Sequence, residues 1–393
     1  MQDQAPLYFD HNATAPLHPE VLDAMLPFLS THYGNSLSGH AYGRVCAEAL
    51  ERARAQVASL IGAKPTEIVF NSGGSEGLNH ALKGSAFTWK KGARRILFGA
   101  TEHHAVEDSV RWLERFNFIA EPLQVDEDGV LQPETLERAL QYGPAFMVAV
   151  MWGNNEVGTL QPIQALASLA RRSGARFVCD AVQAAGKVPV SVEGIDLMAL
   201  AGHKLYGPKG IGALYIREGV AVEPLIHGAG HENGRRAGTH PVALAVGMGA
   251  AAALAQRTLE AECQRQAALQ AQLEDRLMRE LSRTFIHGQR VARLPNTTCV
   301  SFEGVMAWEL QSTLDAHGAA ISAGAACRSG QPKPSPVLTA MGVDPKLALG
   351  GVRLSLGRHT TPRDVDDLVD AIIDAVTELR VNRHKNWLSS SAR

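Results

Sequence analysis

The sequence predicts an α/β fold, a large domain with a mostly parallel mixed sheet covered by helices, followed by a smaller α+β C-terminal domain. Three observations predict it. From Ile68 to Ile216 short strand-like segments alternate with helical patterns, and such alternation builds parallel sheets with helices on both faces. Near Pro241 the alternation gives way to an alanine-rich helical stretch, beyond which strand signals return as a second, smaller set. At 393 residues the chain has room for about two domains and a large core.

The elements follow in order. Between Pro19 and Leu29 the apolar residues Val21, Leu22, Met25, Leu26 and Leu29 recur at helical spacing, so the segment reads as a short helix. Gly34 to His40 is turn chemistry, and a longer helical pattern runs from Arg44 to Leu60, ended by Gly62. Strands are expected at 68–70, 95–98, 146–151, 176–179 and 212–216, with helical patterns such as 106–115 and 162–172 between them. The glycine turn after Phe70 is expected to lead into a helix at Leu78. An alanine-rich helix over 242–255 continues into the charged helical stretch 260–282. After it, 298–302, 319–322 and 352–356 read as strands and 308–317 and 362–379 as helices, while the polar tail from Asn382 reads as frayed. The large domain is therefore placed at 15–255, and the small domain at 1–14 together with 256–393.

Composition removes several classes of function. With 38 basic against 40 acidic residues and a net charge of -2, the chain carries no polybasic footprint for nucleic acid or an anionic membrane. The start, Met1-Gln2-Asp3-Gln4-Ala5-Pro6, lacks the basic and apolar regions of a signal peptide, and no apolar run is expected to span a membrane, so the cytoplasm is the expected compartment. Five cysteines (Cys46, Cys179, Cys263, Cys299 and Cys327) are odd in number, widely spaced and free of Cys-x-x-Cys, which argues against a disulfide framework or a zinc knuckle. His227 and His231 have a metal-like spacing, but they lie among glycines rather than on a helix, and no metal is expected.

Chemistry concentrates where strands end. Ala201-Gly202-His203-Lys204-Leu205-Tyr206-Gly207 sets a lysine in a small, glycine-rich turn after the apolar run 195–200. Partial desolvation there disfavours the ammonium and leaves an amine able to attack a carbonyl. Asp180 closes the strand that begins at Arg176, on the sheet edge where ligands sit, and its carboxylate either pairs with a protonated ring nitrogen or caps the next helix. Gln183 either hydrogen-bonds a bound phenolic oxygen or completes a capping box. Ser72-Gly73-Gly74-Ser75-Glu76 is either a phosphate-binding turn or a plain connection. His103 supplies an imidazole that can stack on a planar ring or carry protons, and Asn154-Asn155-Glu156 supplies amides suited to a carboxylate or phenolate. An amine, a carboxylate and an anion cradle are together what pyridoxal 5'-phosphate requires. Cys327 lies in a run of small residues beside Arg328, which favours the nucleophilic thiolate. Cys179 and Cys299, inside apolar strands, read as inert.

Assembled in order, Phe9-Asp10-His11-Asn12-Ala13-Thr14, Ser72-Gly73-Gly74-Ser75-Glu76, Glu102-His103, Asn154-Asn155-Glu156, Asp180-Ala181-Val182-Gln183, Gly202-His203-Lys204, Arg235-Arg236-Ala237-Gly238-Thr239 and Gly324-Ala325-Ala326-Cys327 resemble the cysteine desulfurases of the class V aminotransferase superfamily. These are pyridoxal-phosphate enzymes of fold-type I, and the likeness runs from Tyr8 to about Val376. The resemblance implies Lys204 as the imine-forming lysine, Asp180 on the pyridine nitrogen, Gln183 on the phenolic oxygen and His103 stacked on the ring. It implies Gly74, Ser75 and His203 around the phosphate, Asn155 at both cofactor and substrate, and Arg353 and Asn12 at the substrate. Thr239 is implied to reach the phosphate of the neighbouring subunit, hence a homodimer. Cys327 is implied as the sulfur acceptor, converting L-cysteine to L-alanine and passing a persulfide sulfur to an acceptor protein for iron-sulfur assembly or thiolation. A selenocysteine lyase, or another class V lyase or aminotransferase, shares all of this except the use of Cys327. A non-enzymatic sulfur-transfer scaffold would not need Lys204, Asp180 and Cys327 together.

Three departures stand out. Ala201 replaces a serine hydroxyl usual on the phosphate, Arg328 follows the cysteine where a small polar residue is usual, and Pro332, Pro334 and Pro336 stiffen the loop.

Overall fold

Seven strands form the central sheet, in the spatial order Ile68–Asn71, Gly212–Ile216, Leu197–Ala201, Arg176–Asp180, Ala145–Met151, Arg95–Gly99 and Ile119–Leu123. The computed structural model describes residues 6–89, 92–324 and 333–391, with the backbone alone from 384 onward. Gly212–Ile216 runs antiparallel to both of its neighbours, and all other pairings are parallel. Alternate residues of each strand face opposite sides, as a two-residue repeat requires. Phe70, Leu97, Val148, Val150, Phe177, Met198 and Leu200 enter one apolar core, while Val69, Ile96, Phe98, Met147, Ala149, Val178 and Ala199 enter the other. The expected double covering of the sheet is therefore present.

A four-stranded antiparallel sheet, ordered Ser322–Ala323, Gly351–Ser355, Thr297–Phe302 and Thr284–His287, carries a separate core with Leu310, Leu314, Val365, Leu368 and Ile372. The N-terminal strand Leu7–Tyr8 pairs in parallel with Ala319–Ala320, and Phe9 is buried in this same core.

One helix, Val242–Glu280, joins the two cores. Ala245, Met248, Ala251 and Ala252 belong to the large core, and Leu269, Leu273 and Leu277, four residues apart on one face, belong to the small one. Its small residues set how closely other helices approach: a Cβ on Gly249 would lie 2.6 Å from Ala53 Cα, and one on Gly247 would lie 2.5 Å from Met25 Sδ. The expectation that no apolar run reaches membrane length needs correction here. An 18-residue window of this helix is apolar enough for a span, yet its apolar side packs into the protein core.

Other boundaries differ for local reasons. The segment expected as one strand over 319–322 splits, because Ala319–Ala320 pairs with the N-terminus and Ser322–Ala323 with Gly351–Ser355. The helix expected at Leu78 begins at Gly74 and continues through a wider-wound segment, His80–Gly84, to Thr88. The tail expected to fray from Asn382 continues the last helix, Pro362–Ser391. Ile119–Leu123 escapes sequence reading because it is an edge strand that contains Pro122 and keeps an exposed face.

A buried ion pair fastens the loop before the long helix to the sheet. Arg54 donates to Glu232 at 2.6 and 2.9 Å, and Glu232 also accepts from the backbone N–H of Phe70 at 2.9 Å. Burial alone would raise the Glu232 carboxyl, but His240, Arg54 and the Phe70 amide reverse this and hold it at about 2. Glu232→Ala is expected to destabilise the fold by about 3–5 kcal/mol in denaturant unfolding, because it strands the Arg54 charge. Removing Arg54's exposed partner Glu51 should cost under about 1 kcal/mol. Because the folded pKa is depressed, the stabilisation from Glu232 is fully present above its ordinary pKa of 4.5 and is lost as pH falls toward 2.

Candidate active site

The parallel strands bring their C-terminal ends to one edge, and the motifs from the sequence hang from that edge. Asn71 leads into Gly74-Ser75, Gly99 into His103, Met151 into Asn155, and Ala201 into His203-Lys204, while Asp180 is itself the last residue of its strand. They enclose a cavity of about 400 Å³ lined by Asn12, Gly74, Ser75, His103, Asn155, Asp180, Gln183, His203, Lys204 and Arg353. Two of the expected residues stand apart. Thr239 is exposed and outside this lining, and Cys327 lies outside the described residues.

Lys204 donates to the backbone carbonyls of Asn12 and Ala13, both at 2.6 Å. Burial, and then the Arg353 charge, pull its pKa down to about 8, against the opposing pull of Asp10 and Asp180. A share of Lys204 is thus free amine near neutral pH, far more than for an ordinary lysine. Asp180 uses one oxygen to cap the turn that follows, accepting from Val182 N at 2.9 Å, and no helix follows for it to cap. Burial raises its carboxyl, partly offset by that N–H and by the charges of His103 and Lys204. A cation brought against it would stabilise the ionised form. His103 caps the helix His104–Leu113 through Nδ1, which accepts from Ala105 N at 3.0 Å, so the neutral ring carries its proton on Nε2. Burial lowers its pKa despite Asp180 nearby.

In the glycine turn, Gly73 adopts φ 150°, and a Cβ on Gly74 would lie 2.7 Å from Val182 Cγ2. The turn therefore needs glycine, and the helix start leaves the first N–H groups without helical acceptors. His203 bonds Thr14 Oγ1 through Nδ1 at 3.2 Å, and burial followed by the Lys204, Lys209 and Lys187 charges lowers it to about 4, so it is a neutral donor rather than a cation. Ala201 lines the cavity without a hydroxyl, as the sequence indicated. This donor set fits pyridoxal phosphate: an amine, a desolvated carboxylate, an imidazole, and backbone N–H groups with a neutral histidine for a phosphate all line one cavity.

Two of the expected residues already hold partners within the chain. Asn12 uses all four side-chain hydrogen-bonding positions internally: Nδ2 donates to Thr297 Oγ1 and to the Asn155 carbonyl, and Oδ1 accepts from Lys187 Nζ and Asn296 Nδ2. Its backbone carbonyl, not its side chain, reaches Lys204. Arg353 is held by Asp10, at 2.6 Å from Nη2, and by the Asn155 carbonyl, at 3.1 Å from Nη1.

Tertiary contacts give roles to three groups that sequence reading left without one: the Glu102 and Glu156 carboxyls, within the motifs quoted above, and Lys187, outside them. Glu102 accepts from Met151 N at 2.7 Å, and burial pushes its carboxyl well up. Lys187 lies behind Gln183. Glu156 accepts from Ser335 Oγ at 2.5 Å, and a Cβ on Gly324 would meet its Oε2 at 3.3 Å. Glu156 thus bonds Ser335, which follows the segment bearing Cys327, while Gly324, which precedes it, donates its N–H to the Gly351 carbonyl at 3.1 Å.

Comparison with known proteins agrees with this geometry. The profile of the Aminotransferase class-V family matches residues 7–368. The chain is 41% identical over 376 residues to a cysteine desulfurase IscS of Dictyoglomus turgidum, covering 95% of each chain. A solved NifS-like protein superposes with a TM-score of 0.88 at 35% identity, covering 95% of this chain and 99% of that one. A structure described as SspA in complex with cysteine superposes with a TM-score of 0.78 at 34% identity, covering 90% and 99%. A sheet edge that gathers lysine, aspartate, histidine and a glycine turn, matched along almost the whole chain, places this protein in the class V aminotransferase family.

Proposed function

We propose that the chain is a pyridoxal-phosphate-dependent cysteine desulfurase, which converts L-cysteine to L-alanine and passes the sulfur through Cys327 to an acceptor protein for iron-sulfur assembly or thiolation. The observation that carries the reading is the meeting of Lys204, Asp180, His103 and the Gly74 turn in one cavity. The names of the relatives support it. Bound pyridoxal phosphate supplies an electron-withdrawing ring that labilises bonds at the substrate's α-carbon.

The protein's own groups do the rest. Lys204, with half its population free amine near pH 8, would hold the cofactor and would remove the substrate α-proton. Asp180 would keep the ring nitrogen protonated, Gly74, Ser75 and His203 would hold the phosphate, and Arg353 and Asn155 would orient the substrate carboxylate. Cys327 is three residues from Gly324, within about 11 Å of extended chain. Its thiolate attacks the substrate sulfur: an S–S bond forms as the substrate C–S bond breaks, the electron pair goes to carbon, and that carbon is protonated to give alanine. His103 is placed to supply the proton. Purified protein that is coloured, and that releases equal amounts of alanine and sulfide from L-cysteine plus a thiol, is the expected result; neither product would refute the proposal.

Asp180→Ala should retain some cofactor but lose turnover by about 100-fold or more, since a buried charge acting in the transition state is removed. Unchanged turnover would show that another group protonates the ring.

The active unit is proposed to be a homodimer. Leu26, Leu29, Tyr33, Leu37 and Tyr42 form an exposed apolar surface, from 49% to 73% accessible, and Ser36 within it bonds His240, next to Thr239. A second copy on this surface would cover the patch beside the residue expected to cross to its neighbour. Leu26→Asp combined with Leu29→Asp should give a monomer by sedimentation that loses cofactor readily. A fully active monomer would contradict the dimer.

A further inference from the structure

Lys187 belongs to no motif described above, yet it sits directly behind the cavity. Its Nζ donates to Gln183 Oε1 at 2.7 Å and to Asn12 Oδ1 at 2.8 Å. Gln183 Nε2 in turn donates to the Asn12 carbonyl at 2.9 Å, the same carbonyl that accepts from Lys204 at 2.6 Å. The four residues form one connected network, in which the second N–H of Gln183 Nε2 has no acceptor among them.

The network decides a question that Gln183 cannot settle alone. A glutamine amide has nearly the same shape after a half-turn that exchanges its oxygen and nitrogen, so only its neighbours choose between the two orientations. Lys187 Nζ presents N–H groups whether or not it is protonated, and Oε1 accepts one of them. The Asn12 carbonyl requires Nε2 on its own side. With the amide reversed, two carbonyl oxygens would face each other and Nε2 would face the N–H groups of Lys187. Burial holds Lys187 well below the ordinary lysine range, and the nearby Lys204 and Arg353 charges act in the same direction. Among the described residues no carboxylate pairs with it. It is therefore retained as a hydrogen-bond donor rather than as half of an ion pair.

We propose that Lys187 is a positioning residue: its hydrogen bonds to Gln183 Oε1 and Asn12 Oδ1 keep the Gln183 N–H₂ group presented to the cavity and hold the Asn12 carbonyl beneath Lys204. The consequence for cofactor binding rests on the pyridoxal-phosphate reading, while the internal coupling does not.

The test is a double-mutant cycle on the full chain with Lys187→Met and Gln183→Met, since methionine keeps most of the buried stem and removes the donor or amide. Equilibrium binding of pyridoxal phosphate to the apo-protein should weaken about tenfold in Lys187→Met, the equivalent of one hydrogen bond, with a displaced visible absorption maximum. In the Gln183→Met background the same change should alter affinity by less than about twofold, because the amide through which Lys187 acts is gone. An unchanged affinity and spectrum in Lys187→Met, or an equal loss in both backgrounds, overturns the proposal. If Lys187→Met does not fold, Lys187→Leu, which likewise removes the donor, takes its place in the cycle. Wild-type protein that takes up no pyridoxal phosphate refutes the functional reading instead. The inference is then decided by thermal unfolding of the four apo-proteins, where coupled midpoints support it and additive midpoints overturn it.

Discussion

Lys204→Ala is expected to abolish turnover of L-cysteine, a loss on the order of 10⁴-fold or more, while leaving the fold intact. The substitution removes the amine and its bonds to the Asn12 and Ala13 carbonyls, but no part of either apolar core. Borohydride reduction of wild type with pyridoxal phosphate should attach the cofactor covalently to the peptide containing Lys204. The alanine variant should show no such adduct anywhere. An adduct on Lys187 or Lys209 in the wild type would overturn the assignment. The apo-protein offers a second check. Because burial lowers the Lys204 pKa to about 8 from an ordinary 10.5, amine-selective labelling of Lys204 should reach half its maximal rate near pH 8 and rise with pH. An exposed lysine would still be climbing near pH 10.

Cys327→Ser is expected to have a comparably large effect with a different signature. Serine is nearly isosteric but cannot form a persulfide, so the variant should keep its colour and bind L-cysteine yet make little alanine. Intact mass measurement after one addition of L-cysteine, without reductant, should show wild type gaining one sulfur atom on the peptide containing Cys327, and the variant gaining none. The other cysteines are poor substitutes. Cys179 and Cys299 are buried with thiols pushed up, Cys299 to well above the usual range, and Cys263 gives its hydrogen to the Lys187 carbonyl. Sulfur found on Cys46 or Cys263, or normal turnover by the serine variant, would make a lyase that does not use Cys327 the better assignment.

The sequence by itself determined the α/β alternation, because strands covered on both faces must be apolar along their length and the helices between them must repeat near 3.6 residues. It also determined the chemical inventory. Lys204, Asp180, His103, Gly74 and Ser75 each follow a strand, and in a parallel sheet the ends of strands converge, so local position was enough to predict a shared site. Edge strands such as Ile119–Leu123 were not legible, since an exposed face and a proline erase the pattern.

Only the tertiary structure decided what each polar group bonds. Asn12 sits 284 positions before Asn296 and 175 before Lys187 in the chain, yet its side chain is divided between them. The Asp10 and Arg353 pair spans 343 positions. No local spacing encodes such contacts. They arise because hydrogen bonds left unmade inside the protein are costly, so buried donors and acceptors must find partners wherever the packed cores bring them, independently of distance along the chain.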